Sequence, residues 1–157
     1  MAQSNLTWQA AIEKIKSTVV FLGTLDEQGK PRISGTGSIL QIQGVFHLLT
    51  AKHVVVAAPN LVVFFNRKDG AVGSRQIEDV RQKAKVDWVF HSDQSVDLAV
   101  IPFGLDIEND DVLAIPDTLF VGLDAIRELD EVFFMSFQPG IETTDRLRPI
   151  YRVARLA

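Results

Sequence analysis

Two short stretches of this 157-residue chain carry residue types that can do chemistry together: Ala51-Lys52-His53-Val54 and, 44 residues on from the histidine, Asp97-Leu98-Ala99-Val100. His53 follows the apolar run Val45 to Thr50, and Asp97 opens another apolar run ending at Ile101. An imidazole with an ordinary pKa near 6.5 can take a proton from a hydroxyl at neutral pH. A carboxylate beside it can hold one ring nitrogen as N–H and stabilise the imidazolium that forms. The pair therefore has the makings of a general base and its orienting partner. A His–Asp pair can also be purely structural, each side chain satisfying the other. The hydroxyl that such a base would activate has no obvious source. None of the eight serines (Ser4, Ser17, Ser34, Ser38, Ser74, Ser92, Ser95 and Ser136) stands in a glycine-rich turn that would present it beside backbone N–H groups. Ser38 and Ser136 both fall within strand-like runs and are poor nucleophile candidates.

The other candidates point to structure rather than chemistry. His47 alternates with Phe46 and Leu48 and reads as a surface or packing residue; His91 opens a His-Ser-Asp turn. His47, His53, His91 and Asp97 lack the short-range spacing of a metal site, so neither a metal nor an organic cofactor is expected. Gly35-Thr36-Gly37 is too short for a phosphate loop and no helix follows it. Trp8 and Trp88 sit on apolar faces and are expected in the core. With no cysteine in the chain, disulfides, a thiol nucleophile and thiolate metal sites are all excluded.

The elements that must hold His53 and Asp97 are mostly strands. Thr7 is a candidate cap for a short helix whose apolar face is Trp8, Ala11, Ile12 and Ile15. Thr18 to Leu22 then reads as a strand, Asp26-Glu27-Gln28-Gly29 as a hairpin turn, and Ile33 to Gln43 as the return strand. Gln43-Gly44 turns the chain into Val45 to Thr50. Leu61 to Phe65, Val86 to Phe90 and Asp97 to Ile101 are further strands, and Gln76 to Ala84 suits a surface helix with Ile77, Val80 and Ala84 inward. Gly35 and Gly37 would bend or bulge the second strand. After Pro102 an acidic stretch and Pro116 mark a connector over 103–130, with a helical turn or two between Leu119 and Leu129. Glu131 to Phe137, the turn Gln138-Pro139-Gly140 and Pro149 to Val153 form a final hairpin. Short strands joined by tight turns predict an all-β protein, an antiparallel barrel over 1–102 being favoured.

Bulk properties narrow the class. The length suits a single ordinary core, and 46% hydrophobic with 23% charged residues is an ordinary globular composition. A net charge of −4 argues against a nucleic-acid partner, which would call for a positive face. Met1 to Thr7 has no basic or apolar leader character, and no apolar run reaches the roughly 18 residues that span a bilayer. A cytoplasmic protein without a membrane partner is the expectation.

Gly35-Thr36-Gly37-Ser38-Ile39-Leu40, Leu49-Thr50-Ala51-Lys52-His53-Val54 and Val96-Asp97-Leu98-Ala99-Val100-Ile101, in that order, resemble the first half of trypsin-like (chymotrypsin-fold) serine peptidases. Phe134 to Gly140 is similar to the opening hairpin of that family's second barrel. The resemblance covers about residues 18–157. It implies a chymotrypsin-like antiparallel β-barrel preceded by a short helix, with 131–157 opening a second, incomplete barrel. It further implies that His53 is the general base of peptide hydrolysis by acyl transfer, that Asp97 orients it, and that the substrate is a peptide or protein. The family's nucleophile, in a Gly-x-Ser-Gly turn of the second barrel, is absent, so the chain as it stands is expected to be inactive. Either these residues are the N-terminal part of a larger peptidase, or the chain is a dead peptidase-like module. The second alternative would pair strands with a partner or a second copy through the exposed edge of the 131–153 hairpin.

Overall fold

A computed structural model describes residues 8–137 and 146–156. Ser4, Thr7 as a cap, the Trp8 side chain as core and the turn Gln138-Pro139-Gly140 lie outside the described residues. The protein is mostly β, built on an antiparallel sheet with a few short helices. In chain order the elements are α1 (Trp8–Lys16), β1 (Val19–Leu25), β2 (Pro31–Ile42), β3 (Val45–Thr50), α2 (Lys52–Ala57), β4 (Val62–Asn66), β5 (Val72–Gln76), α3 (Ile77–Ala84), β6 (Val89–Phe90), β7 (Ala99–Pro102), β8 (Ile115–Pro116), β9 (Glu131–Ser136) and β10 (Ile150–Arg155). Two single 3₁₀ turns, Asp117–Leu119 and Leu123–Ala125, interrupt the connector.

The main sheet runs β5-β4-β1-β2-β3-β7-β6, and β8 adds a short parallel pairing to β2. Tight turns set the hairpin registers. Gln43 and Gly44 both adopt positive φ, 49° and 81°, which gives a two-residue link whose twist matches that of β2 and β3. One bulge enters between β1 and β2, where Leu22 faces Gly35 and Gly23 faces Ile33, leaving Ser34 as the extra residue. The expected bend at Gly35 and Gly37 is thus displaced. Those glycines serve close packing instead: a Cβ on Gly37 would lie 2.6 Å from Leu48 Cδ1, and one on Gly35 2.8 Å from Val54 Cγ2.

The apolar runs of β1 and β4 are continuous rather than alternating, and the structure uses both faces. Val20, Leu22, Val63 and Phe65 join Ile39, Leu48, Val54, Ile77, Ile101 and Phe103 in one cluster that draws on β1, β2, β3, β4 and β7. Phe21, Val62 and Phe64 point the other way and meet Leu147, with Ile33 and Phe137 packed alongside. The C-terminal hairpin therefore packs against the sheet's outer face; Phe137 meets the Phe21 ring edge-on at 5.8 Å between centroids.

Several expectations are corrected. Only Val89 and Phe90 of the expected Val86–Phe90 strand pair with β7. Asp87 accepts two hydrogen bonds from the Arg81 guanidinium and one from the Trp88 N–H, which ties that stretch to α3 instead. Trp88 is half-buried against the main cluster. Ala84 and Ile15, expected inward, are exposed. β5, to which no sequence expectation attaches, is a strand pairing with β4 over Val72 to Gln76. The connector's first half is held firmly: Phe103 and Asp110 are buried, Asp110 accepts from Arg75 Nη2 at 2.6 Å, and Leu113 N–H donates to the Ser17 carbonyl. No helix among the described residues is long and apolar enough to cross a membrane.

Candidate active site

The strand pairing brings His53 and Asp97 together. Thr50, the last residue of β3, is in register with Ala99, the first of β7, so both chains leave the sheet side by side. Thr50 is buried and its hydroxyl donates to the Thr36 carbonyl at 2.8 Å, which anchors the point of departure. Beyond it the chain enters the six-residue helix α2, and Val54 packs into the space that Gly35 leaves. On the other branch Leu98 N–H donates to the Val96 carbonyl, closing a three-residue turn centred on Asp97. Asp97 therefore lies outside the strand it was expected to begin.

One carboxylate binds His53 twice. The backbone N–H of His53 donates to Asp97 Oδ1 at 2.9 Å, and its ring Nδ1 lies 2.5 Å from Oδ2. An ionised carboxylate only accepts, so Nδ1 carries the proton and Nε2 of the neutral ring is left as the basic nitrogen. The Lys52 backbone N–H also reaches Asp97. These contacts, led by the ring hydrogen bond and then the His53 backbone N–H, hold the Asp97 carboxyl below its usual range. The same contacts supply what α2 lacks locally. Ala51, its cap residue, offers no side-chain oxygen, and Asp97 satisfies the first-turn N–H of His53 from across the fold. A helix beginning after a residue unable to cap was the available sequence signal for such a remote partner.

Both side chains are open to solvent, 73% for His53 and 51% for Asp97. Beside them, Lys52 Nζ donates to Gln94 Oε1 at 3.0 Å and stands 5.7 Å above the Phe90 ring. Among the described residues no hydrogen bond reaches His53 Nε2. Three serine hydroxyls are engaged elsewhere: Ser17 donates to the Glu13 carbonyl, Ser34 to Leu22 and Ser95 to the Asp93 carboxylate. Ser38 lies mid-strand opposite Val19 and Leu49, and Ser136 opposite Ile150 with a buried hydroxyl that has no partner among the described residues. The two remaining histidines are local: His47 Nδ1 is 3.0 Å from the Val45 carbonyl, and His91 Nδ1 accepts the Asp93 N–H. Among the described residues no three His, Asp or Glu side chains converge as a metal site would require.

The arrangement can hold an imidazole in one tautomer and offer its free nitrogen to an incoming hydroxyl or water. Comparison with protein-family models and with curated proteins yields no match for this chain.

Proposed function

We propose that this chain is the part of a trypsin-like serine endopeptidase that carries the base, with His53 as general base and Asp97 as its orienting carboxylate. The observation that carries the reading is the double attachment of His53 to Asp97 through ring and backbone, with no hydrogen bond to Nε2 among the described residues. In the complete reaction a serine outside the described residues attacks the scissile carbonyl and gives its proton to His53 Nε2. His53 returns that proton to the leaving amine, and Asp97 stabilises the imidazolium between the two steps. The substrate is a peptide or protein. A barrel of the chymotrypsin type suits an antiparallel sheet whose strands from β4 to β7 share one cluster. Arg75 of β5, at one end of the strand order, donates to the Gly104 carbonyl just past β7, the strand next to the other end.

Two measurements test this. The intact protein produced by its native gene should exceed 17.4 kDa and contain a Gly-x-Ser-Gly turn. That protein should label with a fluorophosphonate, and His53→Ala should slow labelling by about 10⁴-fold. A native mass of 17.4 kDa would sink the peptidase reading.

A second reading has its own support. Asp97 ties down the start of α2 whatever His53 does, so the pair has a structural use without catalysis. On that reading the chain is a peptidase-like binding module whose β9–β10 hairpin, paired only with itself among the described residues, adds a strand from a partner or a second copy. It calls for an oligomer at a native mass of 17.4 kDa per chain and no labelling.

A further inference from the structure

We infer that Asn66 is a positioning residue that docks the C-terminal hairpin onto the main sheet. Asn66 ends β4, and its carboxamide spans 81 residues of sequence to bind both backbone groups of Leu147. Its Nδ2 donates to the Leu147 carbonyl at 2.9 Å, and its Oδ1 accepts the Leu147 N–H at 2.9 Å. Asparagine suits this task because its amide carries a donor and an acceptor side by side, matching a peptide group. Aspartate keeps only the acceptor, and alanine keeps neither.

Three further contacts converge on the same point. The Leu147 side chain is buried among Phe21, Val62 and Phe64. The Asn66 carbonyl accepts the Asp111 N–H at 2.9 Å, and the Asp111 carboxylate pairs with Arg146. Asn66 thus joins β4, the connector and the start of the return strand, whose next residues pair with β9. The β9–β10 hairpin has no backbone pairing with the main sheet among the described residues, so these side-chain contacts, Phe137 on Phe21, and Lys16 of α1, whose Nζ lies 5.7 Å from the Tyr151 ring, fix where it sits. The docking does not depend on the peptidase reading. On that reading its consequence is that Asn66 sets where the unit bearing the nucleophile stands relative to His53.

The test is amide hydrogen exchange on the whole chain, for wild type, Asn66→Ala and Asn66→Asp. Losing the clamp should cut protection of the β9 and β10 amides roughly 10- to 100-fold, while β1, β2 and β3 keep theirs. The ring-current shifts of Phe21 and Phe137, which report their edge-on contact, should move toward unstacked values in both variants. Unchanged hairpin protection and unchanged ring shifts would overturn the inference. So would an equal loss across β1 to β3, because Asn66 would then support the sheet rather than position the hairpin. Asp111→Asn, which keeps the clamp and removes only the ion pair with Arg146, should leave most of the hairpin protection intact.

Discussion

At the scale of single residues the decisive object is one carboxylate. Asp97 accepts from the His53 ring and from the His53 backbone N–H, and these bonds hold its pKa below the ordinary carboxylate range. A group whose folded pKa is lowered stabilises the fold above its unfolded pKa, near 3.9, and loses that contribution as pH falls toward the folded value. The melting temperature of wild type should therefore exceed that of Asp97→Asn at neutral pH, and the gap should close below about pH 4. Melting curves of both proteins across pH check this; a gap that persists in acid would mean the carboxylate's charge is not what matters. The residue types of this site were legible in the sequence. The extra attachment to the His53 backbone was not, because a hydrogen bond spanning 44 residues leaves no local pattern beyond an uncapped helix start.

At the scale of elements, α2 holds its place by fitting against β2 at a residue with no side chain. A Cβ on Gly35 would lie 2.8 and 3.0 Å from the two Val54 methyls, and a β-branched residue in a helix has little rotamer freedom with which to yield. Gly35→Val should cost about 1–3 kcal/mol by overpacking and tilt α2 so that His53 parts from Asp97. Thermal melts measure the first effect and the loss of the His53 Nδ1 proton signal measures the second. Gly104→Ala, where an added Cβ meets nothing within 4 Å, is the matching control and should stay within about 0.5 kcal/mol of wild type. The strands bounded by strong turn residues were readable: Val45–Thr50 stands as expected, since Gln43-Gly44 fixes its start. The stretch Val86 to Trp88 misled because its apolar pattern suits a strand while Asp87 binds Arg81. A side-chain pair between neighbouring elements overrode the local preference there.

At the scale of the whole molecule the apolar surface is unevenly covered. The second half of the connector exposes Leu119, Phe120, Val121, Leu123, Ile126 and Leu129, with Leu123 88% exposed, and the hairpin adds Phe134, Tyr151 and Val153. So much clustered apolar surface favours association. The isolated chain should self-associate with rising concentration. Leu123→Asp with Leu129→Asp should reduce this, measured by light scattering, without lowering the melting temperature. A chain that stays monomeric at high concentration would mean the exposed residues do not form a working contact surface. Inside, Leu48→Ala should cost about 2–5 kcal/mol, because Leu48 is fully buried in the cluster that β1, β2, β3, β4 and β7 share.

The sequence by itself determined the β-rich architecture, the tight turns and the residue types at the candidate site, because alternation, turn chemistry and motif spacing are local properties of the chain. It also held the evidence that β1 and β4 are covered on both sides, since Val19 to Leu22 and Leu61 to Phe65 are unbroken apolar runs. Only the tertiary structure decided what covers them: the core on one face, Phe137 and Leu147 on the other. Likewise only the register of β3 against β7 decided that His53 and Asp97 meet. Contacts across 44 and 81 residues depend on which loop closures the packed core stabilises, and no segment read alone contains that information.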